Sequence, residues 1–265
     1  ETSRLTHLYE NGAEHEKLVN LDGPAREVIR SQGEVRCYYP DAKIVRVEPR
    51  TFRNVFPSLS PQQVATLSSN YRARKGPAGR VAGLDAQSWV IEPKDGLRYG
   101  HELWTDAATG MLLKARMISE RGEVIEHIAF LDIAIGAKIG REAAQPTWPA
   151  TPPDWQVSKR RAGSLEERDT GWEAARLPPG FSKFAEGQRA GRRDRGPGPL
   201  QLVYSDGMVA VSVFIEPRGG SQRYVGRARQ GGISQYSIKL DDYVVTALGE
   251  VPPEAVQMIA TSVAR

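Results

Sequence analysis

Apolar and polar positions alternate most regularly in the middle of the chain. Three strand-like stretches, 98–104, 111–118 and 124–131, are separated by sequences rich in turn-forming residues. In the second stretch one face is apolar, whereas Lys114 and Arg116 occupy the other. The pattern predicts a three-stranded antiparallel meander, whose apolar face requires a cover made of helices, another sheet or a ligand.

The chain before this meander is also rich in alternating strands. Two hairpins are predicted, one pairing 4–9 with 15–21 around an Asn-Gly turn and one pairing 26–30 with 35–39. A further strand follows at 43–48. The first 48 residues are therefore predicted to consist almost entirely of hairpins.

Residues 50–73 lack strand alternation and contain two prolines. Ser60-Pro61 provides an N-cap followed by a proline at the first helical position, which favours the start of a helix. We expect one or two short helices here that lie across a sheet face. A single strand is predicted to follow over 80–92.

A proline-rich segment from 138 to 154 is typical of an interdomain linker. Beyond it, hairpins are predicted at 200–216 and 233–248, and a short helix opened by proline at 252–263. The predicted fold class is α+β, with a large curved antiparallel sheet and covering helices in the first domain and a smaller antiparallel sheet with a helix in the second. The predicted boundaries are 1–140 for the first domain, 141–157 for the linker and 158–265 for the second domain.

The composition narrows the function classes. A chain of 265 residues with 40% hydrophobic and 26% charged residues is typical of a soluble globular protein, and no apolar run approaches the ~20 residues that span a bilayer. The net charge of +4 suits an acidic partner or anionic lipid headgroups but is too small to predict nucleic-acid binding. The lone Cys37 is compatible with either the cytosol or a bacterial periplasm. Because the chain begins without Met, we expect a signal peptide ahead of it.

The sequence contains no arrangement of residues typical of catalysis. The four histidines, His7, His15, His101 and His127, form neither an HExxH motif nor a cluster with metal-ligand spacing. There is no G-x-S-x-G nucleophile elbow, and the glycine-rich segments lack the Lys-Ser/Thr of a phosphate loop. We therefore expect a protein that is not an enzyme and that requires no metal or cofactor.

Two regions are candidates for binding. The first is the space between the predicted curved sheet and the helices of 50–73, which offers room for an apolar ligand. Each residue of its lining, taken alone, is better explained as ordinary core, so the hypothesis depends on the whole set. The set is Phe52, Phe56, Leu59, Leu67, Trp89, Leu103, Trp104, Met111, Leu113 and Met117.

The second region is the glycine- and arginine-rich loop at 188–199, which contains Arg189, Arg192, Arg193 and Arg195. One interpretation is a solvated, disordered loop. The alternative is a docking surface for an acidic or amphipathic peptide.

Several segments, in the same order and over essentially the whole chain, resemble the RseB/MucB family. These are LDGPAREVIR at 21–30, GLRY at 96–99 leading to LWTD at 103–106, LPPGFS at 177–182, LVYSDG at 202–207 and GEVPP at 249–253.

The resemblance implies an N-terminal domain similar to the lipoprotein carriers LolA, LolB and LppX, a half-open β-barrel around helices, and a smaller C-terminal α/β domain. Family members are periplasmic negative regulators of an envelope-stress sigma factor in Gram-negative bacteria, a role that extends to alginate production and mucoidy. They bind the periplasmic part of a membrane anti-sigma factor of the MucA or RseA type and shield it from the site-one protease. Lipid or lipopolysaccharide acyl chains sensed in the N-terminal domain lower that affinity.

The resemblance assigns no catalytic residue and no role to the loop at 188–199. A lipid that prefers one domain arrangement would shift the population toward it, with a hinge expected at 138–154. The main alternative is a periplasmic lipid or lipoprotein carrier with the same N-terminal fold, although a carrier has no need of the second domain. Formation of a homo-oligomer is left open.

Overall fold

The computed structural model describes residues 1–31, 33–49, 67–159, 165–191, 197–219 and 225–265. Its strands are, in chain order, β1 (Ser3–Glu10), β2 (Ala13–Asn20), β3 (Glu27–Ser31), β4 (Glu34–Tyr39), β5 (Ile44–Pro49), β6 (Tyr71–Val81), β7 (Leu84–Pro93), β8 (Gly100–Asp106), β9 (Leu112–Ile118), β10 (Val124–Ala129), β11 (Gln156–Lys159), β12 (Leu165–Glu167), β13 (Glu173–Ala174), β14 (Ser182–Arg189), β15 (Leu200–Ser205), β16 (Ala210–Pro217), β17 (Gly226–Gln230), β18 (Ile233–Leu240), β19 (Tyr243–Gly249) and β20 (Val263–Ala264).

Helical structure is sparse in the described residues. Single 3-10 turns occupy Pro40–Ala42 and Arg141–Ala144, residues 67–70 are helical, and α1 spans Pro253–Ala260. None of these helices is long and apolar enough to span a membrane. The predicted fold class, α+β built on antiparallel sheets, is confirmed. Most of the segment 50–73, where covering helices are expected, lies outside the described residues.

The chain divides into two compact units, each made of two segments. The first unit contains Glu1–Arg53 and Ala134–Ser164, and the second contains Asn54–Ile133 and Leu165–Arg265. The predicted division into domains of 1–140 and 158–265, joined by a linker, stays a prediction.

The first unit is built on sheet A, with the strand order β1-β2-β3-β4-β5-β11. Its first five strands are antiparallel neighbours, which confirms both predicted hairpins and the strand at 43–48. Asn11 and Gly12 form the first turn with φ of 51° and 78°, the positive values that a tight hairpin turn requires. Strand β11 adds to β5 in parallel.

The proline-rich segment predicted as a linker packs onto sheet A. Trp148 stacks on the ring of Tyr38, with centroids 5.9 Å apart, and Trp155 lies 5.7 Å from Trp148. The buried carboxylate of Glu27 accepts hydrogen bonds from the backbone N–H (2.8 Å) and the hydroxyl (2.6 Å) of Thr147. We call residues 141–155 the strap, because these contacts attach them to the first unit.

The second unit contains sheet B, with the order β10-β9-β8-β7-β6. Strands β8, β9 and β10 confirm the predicted meander. The single strand predicted over 80–92 was wrong, because Ala82 and Gly83 turn the chain between β6 and β7 with φ of 49° and 82°. Ala82 carries no turn signal, so the continuing alternation concealed the hairpin.

The second unit also contains sheet C, with the order β12-β14-β15-β16-β19-β18-β17, and a two-stranded ladder of β13 and β20. The predicted hairpins β15–β16 and β18–β19 are confirmed, as is the C-terminal helix, which packs on β18 and β19. Central strands bury apolar side chains completely, and the fully buried residues include Leu202, Tyr204, Val211, Val213, Val245, Ala247, Val256 and Ile259.

Candidate functional site: a buried arginine cluster

The predicted apolar lining is divided between the two faces of sheet B. Side chains alternate along a strand, so Leu103 and Trp104 point to opposite sides. Leu103 pairs with Trp89 of β7 and with Ala115 of β9, and Ala115 pairs with Ile128 of β10. These four residues form an apolar row across four strands, and we call the surface that carries it the apolar face.

The apolar face is only partly covered. Leu113 is buried on it, and Met117 is half-buried, whereas Trp89 and Ile128 are 40% and 60% exposed. Trp104 belongs to the opposite face, where Lys114 Nζ and Arg116 Cζ lie 4.5 Å and 5.1 Å from its ring. The structure therefore does not place Trp104 with Leu103 in one lining.

Of the remaining predicted lining residues, two are described by the structure and three are not. Leu67 is buried in the helical residues 67–70, and Met111 is 40% exposed just ahead of β9. Phe52, Phe56 and Leu59 lie outside the described residues.

The arginine-rich loop is described only in part. Arg189 packs on sheet C, where its guanidinium lies 5.6 Å above the ring of Phe214 and donates a hydrogen bond to Gln201 (3.3 Å). Arg192, Arg193 and Arg195 lie outside the described residues.

Three of the segments that carry the family resemblance meet at Arg98, which is buried. Its Nε donates a hydrogen bond to Oδ2 of Asp206 at 2.7 Å, and its two terminal nitrogens bind the carboxylate of Asp95 and the carbonyl oxygen of Pro179. The guanidinium also lies 5.1 Å above the ring of Phe181. The motifs at 96–99, 177–182 and 202–207 are thus joined by one side chain.

Asp206 uses both carboxylate oxygens. Besides Arg98, Oδ2 accepts a hydrogen bond from the hydroxyl of Tyr71 at 2.9 Å. Oδ1 accepts the backbone N–H groups of Met208 and Val209, both at 3.0 Å, and so closes the turn between β15 and β16. The same carboxylate therefore holds the turn between β15 and β16 of sheet C. It also holds the side chains of Tyr71 and Arg98, which belong to the part of the chain that forms sheet B. We call Arg98, Asp206 and Tyr71 the arginine cluster.

Two glycines allow these segments to approach each other closely. Gly180 has a φ of 79°, and a Cβ at this position would collide with the side-chain amide of Asn70, the residue that precedes Tyr71. Gly207, which follows Asp206, has a φ of 95°. Both conformations are readily available to glycine and rare in other residues.

Burial sets the electrostatics of the cluster. It raises the pKa of Tyr71, and the adjacent Asp206 carboxylate raises it further, so the phenol remains a donor. Burial opposes the charge of Arg98, but its hydrogen bond to Asp206 and the neighbouring charges outweigh this and raise its pKa. Burial lowers the pKa of His101, and Asp206 offsets part of that effect. The raised pKa keeps the buried guanidinium of Arg98 positively charged.

The apolar face also contacts the hairpin of β17 and β18. Arg229 lies 5.7 Å above the ring of Tyr99, and a Cβ at Gly232 would be 2.9 Å from the sulfur of Met117. No group of three His, Cys, Asp or Glu side chains in the described part of the chain is arranged to hold a metal.

Two family models match the chain. The MucB/RseB N-terminal domain covers residues 1–148, and the MucB/RseB C-terminal domain covers residues 166–264. The chain is thus covered by two domain models of one family. It belongs to the MucB/RseB family, which confirms the resemblance. Arg98 lies in the N-terminal family domain and Asp206 in the C-terminal one.

Curated relatives share the whole length of this chain. It is 32% identical to the sigma factor AlgU regulatory protein MucB of Pseudomonas aeruginosa, covering 99% of this chain and 81% of that protein. It is 25% identical to the sigma-E factor regulatory protein RseB of Haemophilus influenzae, covering 98% and 80%. Both relatives are regulators of sigma factors. The prediction that the chain is not an enzyme is confirmed by this family membership.

Solved structures of relatives agree with the fold. A crystal structure of MucB in complex with MucA(peri) matches with a TM-score of 0.73 and 29% identity, covering 98% of this chain and 86% of that one. The complex structure of Pseudomonas aeruginosa MucA/MucB gives the same values. Another crystal structure of MucB gives a TM-score of 0.61 at 28% identity, covering 98% of this chain and 85% of that one.

The sequence pointed to the motifs of the arginine cluster but not to its chemistry. GLRY, LPPGFS and LVYSDG resemble family segments, but the sequence pattern assigns no role to Arg98, Tyr71 or Asp206. The available signal was an arginine followed by tyrosine at the entry to a strand. Periodicity cannot distinguish a buried ion pair from a solvated charge at such a position.

Proposed function

We propose that this protein is a periplasmic regulator that binds the periplasmic region of a membrane anti-sigma factor of the MucA or RseA type. It protects that region from regulated proteolysis and releases it when its N-terminal domain senses lipid or lipopolysaccharide. The observation that carries the proposal is the match over both family domains to MucB, which has been crystallised with MucA.

The lipid-sensing part is supported by the apolar face of sheet B. An acyl chain laid along the row from Trp89 to Ile128 would remove from water the side chains that are exposed there. Leu103 and Met117 would contribute from the same face. Phe52, Phe56 and Leu59 remain candidate lining residues.

The partner-binding part is assigned to the C-terminal domain. The arginines of the loop at 188–199, Arg189, Arg192, Arg193 and Arg195, are candidate contacts for acidic groups of the anti-sigma factor. Arg189 contributes only if binding releases it from Phe214 and Gln201.

The proposal is tested by a calorimetric titration of the protein with the periplasmic segment of an anti-sigma factor, with and without lipid A. Binding that weakens when lipid A is present supports the regulator and the coupling together. If lipid A leaves the affinity for the anti-sigma segment unchanged, lipid sensing is refuted, but the proposed protection of the anti-sigma factor from proteolysis still stands. Lipid binding with no binding of the anti-sigma segment would favour the alternative, a lipid or lipoprotein carrier.

The hinge at 138–154 is a separate part of the proposal. An engineered crosslink between the two predicted domains should abolish the effect of lipid A on partner affinity. Unchanged sensitivity in the crosslinked protein would refute the hinge.

A further inference from the structure

We propose that Arg98, Tyr71 and Asp206 are positioning residues that transmit occupancy of the apolar face of sheet B to the partner-binding C-terminal sheet. This inference rests on the proposed function and names the element that couples its two binding events. It assigns to the arginine cluster a regulatory role in addition to its structural one.

The first step concerns the strands that the cluster connects. Tyr71 begins β6, and Arg98 lies two residues ahead of β8, so the two strands flank β7. Both side chains bind the same oxygen of Asp206, at 2.9 Å and 2.7 Å. A change in the curvature of sheet B across β7 therefore alters the distance between two donors that share one acceptor.

The second step concerns the ligand. The apolar row runs across β7 and β8 through Trp89 and Leu103. A ligand bound to this row therefore contacts β8, which Arg98 precedes, and β7, which lies between β8 and β6. Met117 and Tyr99 extend the same face toward Gly232 and Arg229. Because packed sheets adopt discrete arrangements and do not deform continuously, such a ligand favours one curvature over another.

The third step concerns sheet C. The other oxygen of Asp206 holds the N–H groups of Met208 and Val209, at the turn between β15 and β16. Arg98 also binds the carbonyl of Pro179 and packs on Phe181. Movement of the two donors is thus passed to sheet C at two points, the turn at 206–209 and the segment at 179–181.

The choice of variants follows from the geometry. Tyr71→Phe removes one hydrogen bond to Asp206 and retains the ring, and Arg98→Met removes the charge and retains much of the volume. Arg74→Met is the matched control, because Arg74 lies on β6, is exposed and pairs with Glu92 at 2.9 Å, away from Asp206.

The experiment measures the dissociation constant of the anti-sigma segment with and without saturating lipid A, and the ratio of the two is the coupling factor. We expect at least a fivefold factor in the unmodified protein, about the lower end for allosteric coupling. Tyr71→Phe and Arg98→Met should bring the factor close to one while each binding event persists. Arg74→Met should retain the full factor.

The outcomes separate the inference from the function on which it rests. If the unmodified protein shows no coupling, the lipid-sensing function fails, and the inference fails with it. If the unmodified protein is coupled and Tyr71→Phe is coupled to the same extent, the inference alone is overturned. Should Arg98→Met fail to fold, Tyr71→Phe decides.

Hydrogen exchange provides a readout that needs no partner. Lipid A should accelerate exchange of the Met208 and Val209 amides in the unmodified protein, because their acceptor is displaced. Lipid binding that leaves these two amides unchanged would contradict the inference. A purely structural role of the cluster predicts no lipid-dependent change there.

Discussion

Arg98 and Asp206 form an ion pair in which Nε lies 2.7 Å from Oδ2 and neither side chain is exposed. The pair joins the two family domains. Burying two charges costs free energy that their attraction only partly returns, so such a pair contributes more to a defined geometry than to net stability. Removing one partner is costly, because the other charge is left buried and unpaired.

The first prediction concerns this pair. Arg98→Met should lower the free energy of unfolding by about 3–5 kcal/mol, because Asp206 remains buried without its counter-charge. The exposed control Arg74→Met should lose at most about 1 kcal/mol. Urea denaturation followed by circular dichroism measures both. Equal losses in the two variants would show that removing one partner of the buried pair costs no more free energy of unfolding than removing an exposed arginine.

The second prediction concerns Tyr71 at high pH. Its pKa in the folded protein is raised above the usual 10.0, so above about pH 10 the unfolded chain releases a proton that the folded protein retains. This contribution to stability is present below pH 10 and lost as the pH rises. The decrease in melting temperature from pH 9 to pH 11 should be smaller for Tyr71→Phe than for the unmodified protein. Phenylalanine at the exposed Tyr9 should follow the unmodified protein, and a Tyr71→Phe profile identical to both would refute the assignment.

The third prediction concerns His101 at low pH. Its pKa in the folded protein is lowered from 6.5, so below that pH the unfolded chain takes up a proton that the folded protein resists. The contribution is present above pH 6.5 and lost as the pH falls. His101→Phe should therefore flatten the loss of melting temperature between pH 7 and pH 5. The same replacement at the exposed His7 should leave that loss unchanged.

The fourth prediction concerns the strap. Thr147→Val keeps the size of the side chain but removes the 2.6 Å hydrogen bond to the buried Glu27 carboxylate, which should cost about 1–3 kcal/mol locally. Limited trypsin digestion should then cut faster at Lys138 and Arg141, which adjoin or begin the strap. The exposed Thr151→Val provides the control within the same segment. Cleavage rates that match in both variants would show that Thr147 does not attach the strap.

The fifth prediction concerns Gly180. Gly180→Ala combines an unfavourable positive φ with a collision against the buried Asn70, whereas Gly171→Ala has a similar φ of 70° and open space around its Cβ. Both variants should lose about 1 kcal/mol for the backbone conformation, and Gly180→Ala should lose more. Thermal unfolding of the two proteins measures the difference. An equal loss would mean that Asn70 moves aside without cost.

Some strands and hairpins could be predicted from the sequence, whereas others could not. Hairpins with Asn-Gly or Asp-Gly signals and clear alternation, such as β1–β2 and β15–β16, were predicted correctly because local chemistry determines them. The β6–β7 hairpin was missed, because Ala82 turns the chain without a turn-forming side chain. The proline content of the strap is typical of a linker, yet Trp148, Trp155 and Thr147 attach it to sheet A.

By itself, the sequence determined the hairpins with clear turn signals, the α+β class, the family and the expectation of a regulator without catalytic residues. Each of these depends on local alternation or on ordered motifs that are read along the chain. Only the tertiary structure decided that Arg98 and Tyr71 share the carboxylate of Asp206, and that Trp89, Leu103, Ala115 and Ile128 form one row across four strands. The first depends on contacts between residues more than 100 positions apart, as the separation of Arg98 from Asp206 shows. The second depends on the register of paired strands, which a one-residue shift would invert.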